Sequence, residues 1–470
     1  MSAGLLAYAS YLPRHRLSRE ELGAALGTAA GRGNRVAASF DEDSTTMAVE
    51  AARSVLATVA GPLPSPDVYF ATTSPAYLDK TNAAAIHVAL GLDGTGFAAD
   101  LAGSARSGLA AWRAAAASGG LAVLADVRTG LPGSADERGG GDGAAAFLFG
   151  EGDPIARVVG AASRTAEVLD RWRPPGRDHA DAWEERFGGD SYLPLIRQVA
   201  AEVLAAAGLD AADHVVLTSP NTAVSKRAAS LVKGTLSTGG TPIGHSGAAD
   251  AGLALAAVLD TAGADQTILL LSAADGCDAL LLRTTGELAR RRQPAPLAGQ
   301  LAGGTRVPYA TYLSWRGLLA REAPRRPDPD RPAAPPSARG EQWKFAFTGT
   351  RCTKCGFTHL PPARVCRRCA AVDQMAPARL ADTPGTIATY TVDRLAFSPS
   401  PPLLDAVVDF DGGGRYALEI ADADADELAV GTRVGLVFRR LYTSGGVHNY
   451  FWKARPVQPG QHPRGGSNEQ

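Results

Sequence analysis

Lysine is scarce in this chain of 470 residues: it occurs only at positions 80, 226, 233, 344, 354 and 453, and the remaining basic residues are arginine. We read that skew as genomic base composition and attach no function to it. An excess of one charge is missing too, because 47 Lys+Arg face 48 Asp+Glu for a net charge of -1. No global field therefore draws in nucleic acid or an acidic membrane. No apolar run approaches the roughly 18 residues of a membrane span. The first ten residues are only briefly apolar, run into Pro13 and Arg14, and lack the basic start and cleavage site of a signal peptide. The expectation is a cytoplasmic protein with reduced thiols and no membrane or nucleic-acid partner. Cysteine is rare as well, at five residues, yet four of them cluster at 352, 355, 366 and 369. In a reducing compartment such clustering favours metal over disulfides.

What is present is an ordinary apolar fraction of 45%, with 53 Gly and 31 Pro that indicate many tight turns. The length suggests two to four domains. Up to about residue 285, Ala/Val/Leu-rich helical stretches alternate with short β-like runs such as Asp67–Thr72 and Val215–Thr218, the pattern of a largely buried α/β sheet. Asp41-Glu-Asp-Ser44 predicts a helix start with a Ser cap, continuing through Met47 and Val55. Gly141-Asp142-Gly143, entering an apolar strand, is echoed by Ala274-Asp275-Gly276, so two similar halves are expected, 1–155 and 156–286. The composition then turns to Arg, Pro and Ala. Residues 287–342 read as a linker, with a short helix within Tyr309–Glu322. Short alternating runs after residue 380, separated by Gly and Asp turns, indicate a small β-barrel over 381–456. The polar, Gly-rich end, 457–470, reads as disordered.

Cys352-Thr-Lys-Cys355 and Cys366-Arg-Arg-Cys369 each put two thiolates on one knuckle, and the ten residues between the pairs let them meet around a tetrahedral zinc in a ribbon over 343–380. A closed set of four thiolates leaves no open position for water, so the zinc is structural; iron is the lesser alternative. His359 lies between the pairs, where four thiolates already suffice.

Tyr11-Leu-Pro-Arg-His-Arg-Leu, the stretch from Asp41 to Ala52, Asp170-Arg-Trp-Arg-Pro, Ser219-Pro-Asn and the two Gly-turn strands resemble the thiolase superfamily. The resemblance is strongest to the short prokaryotic hydroxymethylglutaryl-CoA synthases and type III ketoacyl synthases. It implies a duplicated five-layer α/β/α/β/α domain that handles acyl-CoA, and family members generally dimerise. The region from 309 to 456 resembles the zinc-ribbon and OB-fold proteins that accompany thiolase-like acyl-CoA enzymes, here fused to one. Family synthases use a cysteine acylated by the thioester, a His and a Glu. The matching positions here hold Ala105, Thr218 and Thr73. Gly244-His245-Ser246-Gly247 resembles the Gly-His motif that presents a histidine to the thioester, making His245 a candidate base or enolate stabiliser, with a plain turn histidine as the alternative. Asn221 is a candidate for orienting a carbonyl or water, or simply a turn residue. Ser104 and Ser107 are weak substitutes for the missing cysteine, and Cys277 reads as a small buried hydrophobe. Main-chain N–H groups near Ala105 and Gly276 remain available as an oxyanion hole.

Two functions follow. One is making or breaking a carbon–carbon bond on acyl-CoA, of aldol or acyl-transfer type, without an acyl-cysteine. The other is a non-catalytic acyl-CoA-binding or scaffold subunit of a complex with a competent thiolase; under either reading the expected partners are acyl-CoA and a second subunit, in a homodimer or in a heteromer with a thiolase. Single-stranded nucleic-acid binding has only Arg439-Arg440-Leu-Tyr in its favour.

Overall fold

The computed structural model describes residues 4–29, 31–59, 65–183, 185–238, 243–322 and 329–457, so most of the tail expected to be disordered lies outside the described residues. The chain divides into two compact units: Met1–Ser39 with Asp43–Ala84 and Thr95–Leu319, and Phe40–Glu42 with Ala85–Gly94 and Ala320–Gln470.

Ten strands form one mixed sheet in the first unit: β1 (Gly4–Tyr11), β2 (Val68–Thr72), β3 (Ala98–Ala102), β4 (Leu121–Asp126), β5 (Gly143–Gly150), β6 (Ala156–Thr165), β7 (Ala212–Thr218), β8 (Gly234–Thr238), β9 (Thr267–Ala273) and β10 (Gly276–Thr284). Their order is β8-β7-β9-β10-β6-β1-β5-β4-β2-β3. Read outward from the central contact Leu5↔Ala156, β1-β5-β4-β2-β3 on one side matches β6-β10-β9-β7-β8 on the other. In both arms two antiparallel pairings are followed by two parallel ones. The echoed Gly turns open β5 and β10, which occupy equivalent places in this repeat. β5 is buried along nearly its whole length, as an uninterrupted Ala/Phe/Leu run requires of a strand covered on both faces.

Helices α1 (Ser44–Leu56), α2 (Ser107–Ser118), α3 (Glu185–Ala206), α4 (Thr222–Ala228), α5 (Asp250–Leu259) and α6 (Tyr309–Trp315) complete the frame relevant here. α1 begins where expected, but its cap is Asp43. The Asp43 carboxylate accepts from the Thr46 amide at 2.9 Å, and Thr46 Oγ1 accepts from the Asp43 amide at 2.8 Å. Ser44 is already helical and its hydroxyl donates to the Ser74 carbonyl. α2 and α5 share one core with strand residues of both arms, where Trp112, Phe147 and Leu253 are buried. α3 packs through Ile196, Val199 and Val203 on β9 and β10.

The stretch expected to be a linker from 287 is instead built into this unit as far as Leu319. Gln293 accepts from the Ser10 amide and hydroxyl at 2.7 and 2.9 Å and donates to Asp260. Tyr309 and Tyr312 of α6 are buried against Leu17 and Leu22. These anchors are sparse, and the surrounding Arg, Pro and Ala masked them in the composition. The short helix ends at Trp315, well before Glu322, and the left-handed Gly317 follows it.

Asp142, in the turn before β5, is wholly buried. Its carboxylate accepts from the amides of Ala38 (2.8 Å) and Arg128 (2.7 Å) and from the guanidinium groups of Arg35 (3.3 Å) and Arg316 (2.6 Å). Asp142→Ala would strand two nearly buried cations, a loss of about 3–5 kcal/mol. Denaturant unfolding of the full chain checks this, and a loss below about 1 kcal/mol, the level of an exposed pair, would contradict it.

In the second unit, β11 (Thr348–Cys352), β12 (Thr358–His359) and β13 (Met375–Arg379) make a small antiparallel sheet carrying the cysteine knuckles. β14 (Gly385–Asp393), β15 (Leu403–Phe410), β16 (Arg415–Glu419), β17 (Arg433–Ser444) and β18 (Val447–Pro456) follow in the order β16-β15-β14-β17-β18. An Ile420↔Ala454 bridge draws the outer strands together, and β15 alternates half-buried with buried residues as a barrel wall does. Arg439 is buried here, 2.7 Å from Asp422. Among the described residues no helix is long and apolar enough to cross a membrane.

Candidate active site

Parallel pairing of β2 with β4 brings Thr72 and Asp126 to the same end of the sheet. The buried Asp126 carboxylate accepts from Thr72 Oγ1 (3.1 Å), Thr73 N (2.9 Å), Thr73 Oγ1 (3.0 Å), Ser74 Oγ (2.6 Å) and the Ala248 amide (2.6 Å). One carboxylate thus ties two strand ends to the loop that leads into α5. Gly247 passes so near that a Cβ would lie 2.0 Å from Asp126 Oδ2, and its φ of 56° is itself left-handed.

Two residues earlier stands His245. Its amide donates to the Gly139 carbonyl at 2.8 Å and its carbonyl accepts from the Gly141 amide at 3.1 Å, which fixes the backbone. Nδ1 lies 3.2 Å from Asp250 Oδ2, at ion-pair distance but without hydrogen-bond alignment. A carboxylate on that side favours the tautomer with its proton on Nδ1 and leaves the Nε2 lone pair as the basic one. Asp250 is itself oriented by the Ser246 amide at 3.1 Å.

His245 lines a cleft of about 100 Å³ together with Thr73, Ser104, Ala105 and three arginines, Arg128, Arg171 and Arg173. Arg128 Nη1 donates to Thr73 Oγ1 at 2.8 Å, and Arg173 Nη2 donates to the Thr73 carbonyl. Arg171 grips Asp136 with both terminal nitrogens. Burial, reinforced by Arg171 and more weakly by Arg173, lowers the Arg128 pKa from its ordinary value against the opposing charges of Asp126 and Asp136. Burial alone would raise Asp136, but the bonds and charge of Arg171 hold it below the usual carboxylate range. Asp170, also in the lining, is raised by burial and accepts from the Tyr192 hydroxyl at 3.3 Å.

Of the residues singled out from sequence, Thr73, Ala105, His245 and Ser104 meet at this cleft. The other candidate catalytic positions, Thr218, Asn221, Ser107 and Cys277, lie off its lining. Thr218 ends β7 with its hydroxyl toward the Leu271 carbonyl at 3.4 Å. Asn221 caps α4, accepting from the Ala223 and Val224 amides, so its carbonyl oxygen is engaged in the helix start. Ser107 opens α2. Cys277 is buried in β10, and burial pushes its thiol up to about 12.

The four clustered cysteines have their sulfurs within 4.8 Å of one another. Cys352 Sγ is 3.7 Å from Cys369 Sγ, and Cys355 Sγ is 3.5 Å from Cys366 Sγ. A tetrahedron with Zn–S bonds near 2.3 Å has edges of about 3.8 Å, so the set fits zinc held by these four thiolates alone. His359 is buried beside them with its ring edge-on to Phe357.

Among proteins of known function, the hydroxymethylglutaryl-CoA synthase of Archaeoglobus fulgidus is 30% identical over 337 residues, covering 67% of this chain and 98% of that one. The chain belongs to the hydroxymethylglutaryl-CoA synthase family. The enzyme of the same name from Methanothermobacter thermautotrophicus is likewise 30% identical, over 352 residues and 99% of its length. Among solved structures, MvaS in complex with 3-hydroxy-3-methylglutaryl coenzyme A superposes with a TM-score of 0.59 at 21% identity, covering 70% of this chain and 95% of that chain. The 3-oxoacyl-(acyl carrier protein) synthase III of Pseudomonas aeruginosa gives 0.54 at 22% identity, covering 61% and 99%. These likenesses establish the thiolase-like fold. Residues 345–375 match the rubredoxin-like zinc ribbon domain of ChsH2, and residues 378–439 match its C-terminal OB-fold domain.

This family member therefore joins a synthase-like unit to a zinc ribbon and an OB fold. Sequence reading did not single out Asp126, Asp250 and Arg128. Arg171 and Arg173 were visible only as part of Asp170-Arg-Trp-Arg-Pro. A lone Asp closing the apolar run Leu121–Ala125 was the available signal for Asp126.

Proposed function

We propose that this chain forms or breaks a carbon–carbon bond β to an acyl-CoA thioester, in aldol fashion and without a covalent acyl-cysteine. The observation that carries the reading is that His245 shares one cleft with Ala105 and Thr73, the positions where the resemblance implies a nucleophile and an acid. In the condensing direction His245 Nε2 takes a proton from the carbon α to the thioester. The electron pair left there attacks the acceptor carbonyl, and the resulting alkoxide is protonated. Cleavage runs these steps backwards: the β-hydroxyl loses its proton, the Cα–Cβ bond breaks, and the pair on Cα is reprotonated. The cleft is smaller than the 300–1,000 Å³ of typical ligand sites, so it takes only the reacting end of the CoA ester.

That narrowness also favours a second reading, an acyl-CoA-binding subunit that works with a competent thiolase. Incubation with acetyl-CoA followed by intact-mass measurement is expected to return the unmodified chain; an acyl adduct on Ser104, Ser107 or Cys277 would overturn the acyl-enzyme-free reading. Cleavage of a β-hydroxyacyl-CoA by the chain alone supports the aldol role. Activity that appears only with a co-purified thiolase supports the scaffold.

A further inference from the structure

A second cavity, of about 480 Å³, lies wholly within the second unit, on strands β14 to β18. Its volume falls in the range of roughly 300–1,000 Å³ typical of small-molecule sites. Tyr390 of β14, Tyr416 of β16 and Phe451 of β18 line it, all half-buried, and the rings of Tyr416 and Phe451 meet at 57° with centroids 6.2 Å apart, like two walls of a corner. Two carboxylates share the cavity. Asp405 and Glu419 stand directly opposite each other on β15 and β16, a pairing of like charges that is unfavourable unless a cation lies near. The resident cation, Lys453, is buried and already divided between Glu419 (2.8 Å) and Asp41 (2.9 Å). Among the described residues the Asp405 carboxylate has no hydrogen bond and no ion pair. Burial and the charges of Glu419 and Asp393 raise its pKa, and the opposing charge of Lys453 offsets only part of that rise.

We propose that this cavity binds an organic cation, with an alkylammonium group seated among Asp405, Tyr416 and Phe451 and its apolar body against Val407 and Leu441. The site is independent of the acyl-CoA reading, because none of these residues lines the cleft at His245. Ring faces attract a cation through their quadrupole, and a carboxylate without a partner supplies the countercharge and a charge-assisted hydrogen bond. A metal ion fits less well. It takes about six oxygen ligands, whereas Glu419 is held by Lys453 and much of the remaining wall is ring and aliphatic carbon. Phosphates, the groups an OB fold meets when it binds oligonucleotides, are repelled by the two acids. A free amine and a lysine side chain share the ammonium chemistry, and the test separates them.

Calorimetric titration of the full chain with pentylammonium, neutral 1-pentanol, magnesium chloride and a short lysine-containing peptide tests the proposal. Pentylammonium is expected to bind at least about tenfold tighter than 1-pentanol, the gain of one charge-assisted contact. Asp405→Asn keeps the size of a half-buried side chain and removes a like-charge pair, so it should abolish most of that preference without lowering the melting temperature. Tyr416→Phe should retain the preference because the ring face remains, whereas Tyr416→Leu should reduce it. Equal affinity for the ammonium and the alcohol, or a preference that survives Asp405→Asn, overturns the site. So does magnesium that binds and displaces the amine, or a failure of every probe to bind. If the peptide binds and the free amine does not, and Asp405→Asn abolishes that binding, the ammonium site stands and a protein supplies the cation.

Discussion

Replacing Cys352 by Ser is expected to release the zinc and unfold residues 345–375 while the first unit keeps its fold. The three strands of this sheet have five, two and five residues, too little to enclose a core of their own. What gathers them is the metal: the sulfurs lie within 4.8 Å of one another only because the two knuckles face each other. In so small a module metal affinity is folding free energy, about 10–16 kcal/mol in zinc-finger peptides. A hydroxyl is a far poorer zinc ligand than a thiolate, so one substitution forfeits most of that. The ten strands of the first unit bury a separate core and have no such dependence. Elemental analysis and hydrogen exchange resolved along the chain provide the check. Retention of zinc by the variant, or simultaneous collapse of residues 4–319, would refute the assignment.

The contrast between these two modules explains what could be read in advance. Four cysteines at short, regular spacing specify a site by covalent proximity, so the ribbon was legible from Cys352 to Cys369. The paired Gly turns were legible for a different reason: duplication places β5 and β10 at matching points beside the central strands, and both need the same turn. The cleft was only half legible. Thr73, Ala105 and His245 were found because a resemblance aligned them, but nothing local to Asp126 shows that Thr73, Ser74 and Ala248 will all donate to it. Such a constellation depends on strand ends separated by more than 50 residues, and on a loop another 122 residues away. Arg128 and Arg173 illustrate the same limit, since a sequence displays their charge but not their convergence. In the region from 287 to 319, Gln293, Tyr309 and Tyr312 had the reverse problem: the anchors were present, but composition averaged them away.

His245→Ala is expected to lower turnover of a β-hydroxyacyl-CoA or β-ketoacyl-CoA by roughly 10²–10⁴-fold, the usual contribution of a positioned general base. CoA-ester binding and melting temperature should change little. The imidazole is partly exposed at the cleft, so its removal enlarges an open space and leaves no sealed cavity. The backbone of residue 245 keeps both bonds to the 139–141 segment, which do not involve the side chain. Asp250 keeps the Ser246 amide and its place at the first turn of α5, where a negative charge is favoured, so losing the histidine does not strand it. A fall in kcat with KM nearly constant is therefore the signature of a group that moves a proton; a fall in melting temperature with both parameters altered would mark a structural histidine instead. Unchanged turnover would take His245 out of the mechanism. The proton transfer would then fall to Asp170, the lining carboxyl that burial already holds above its ordinary range.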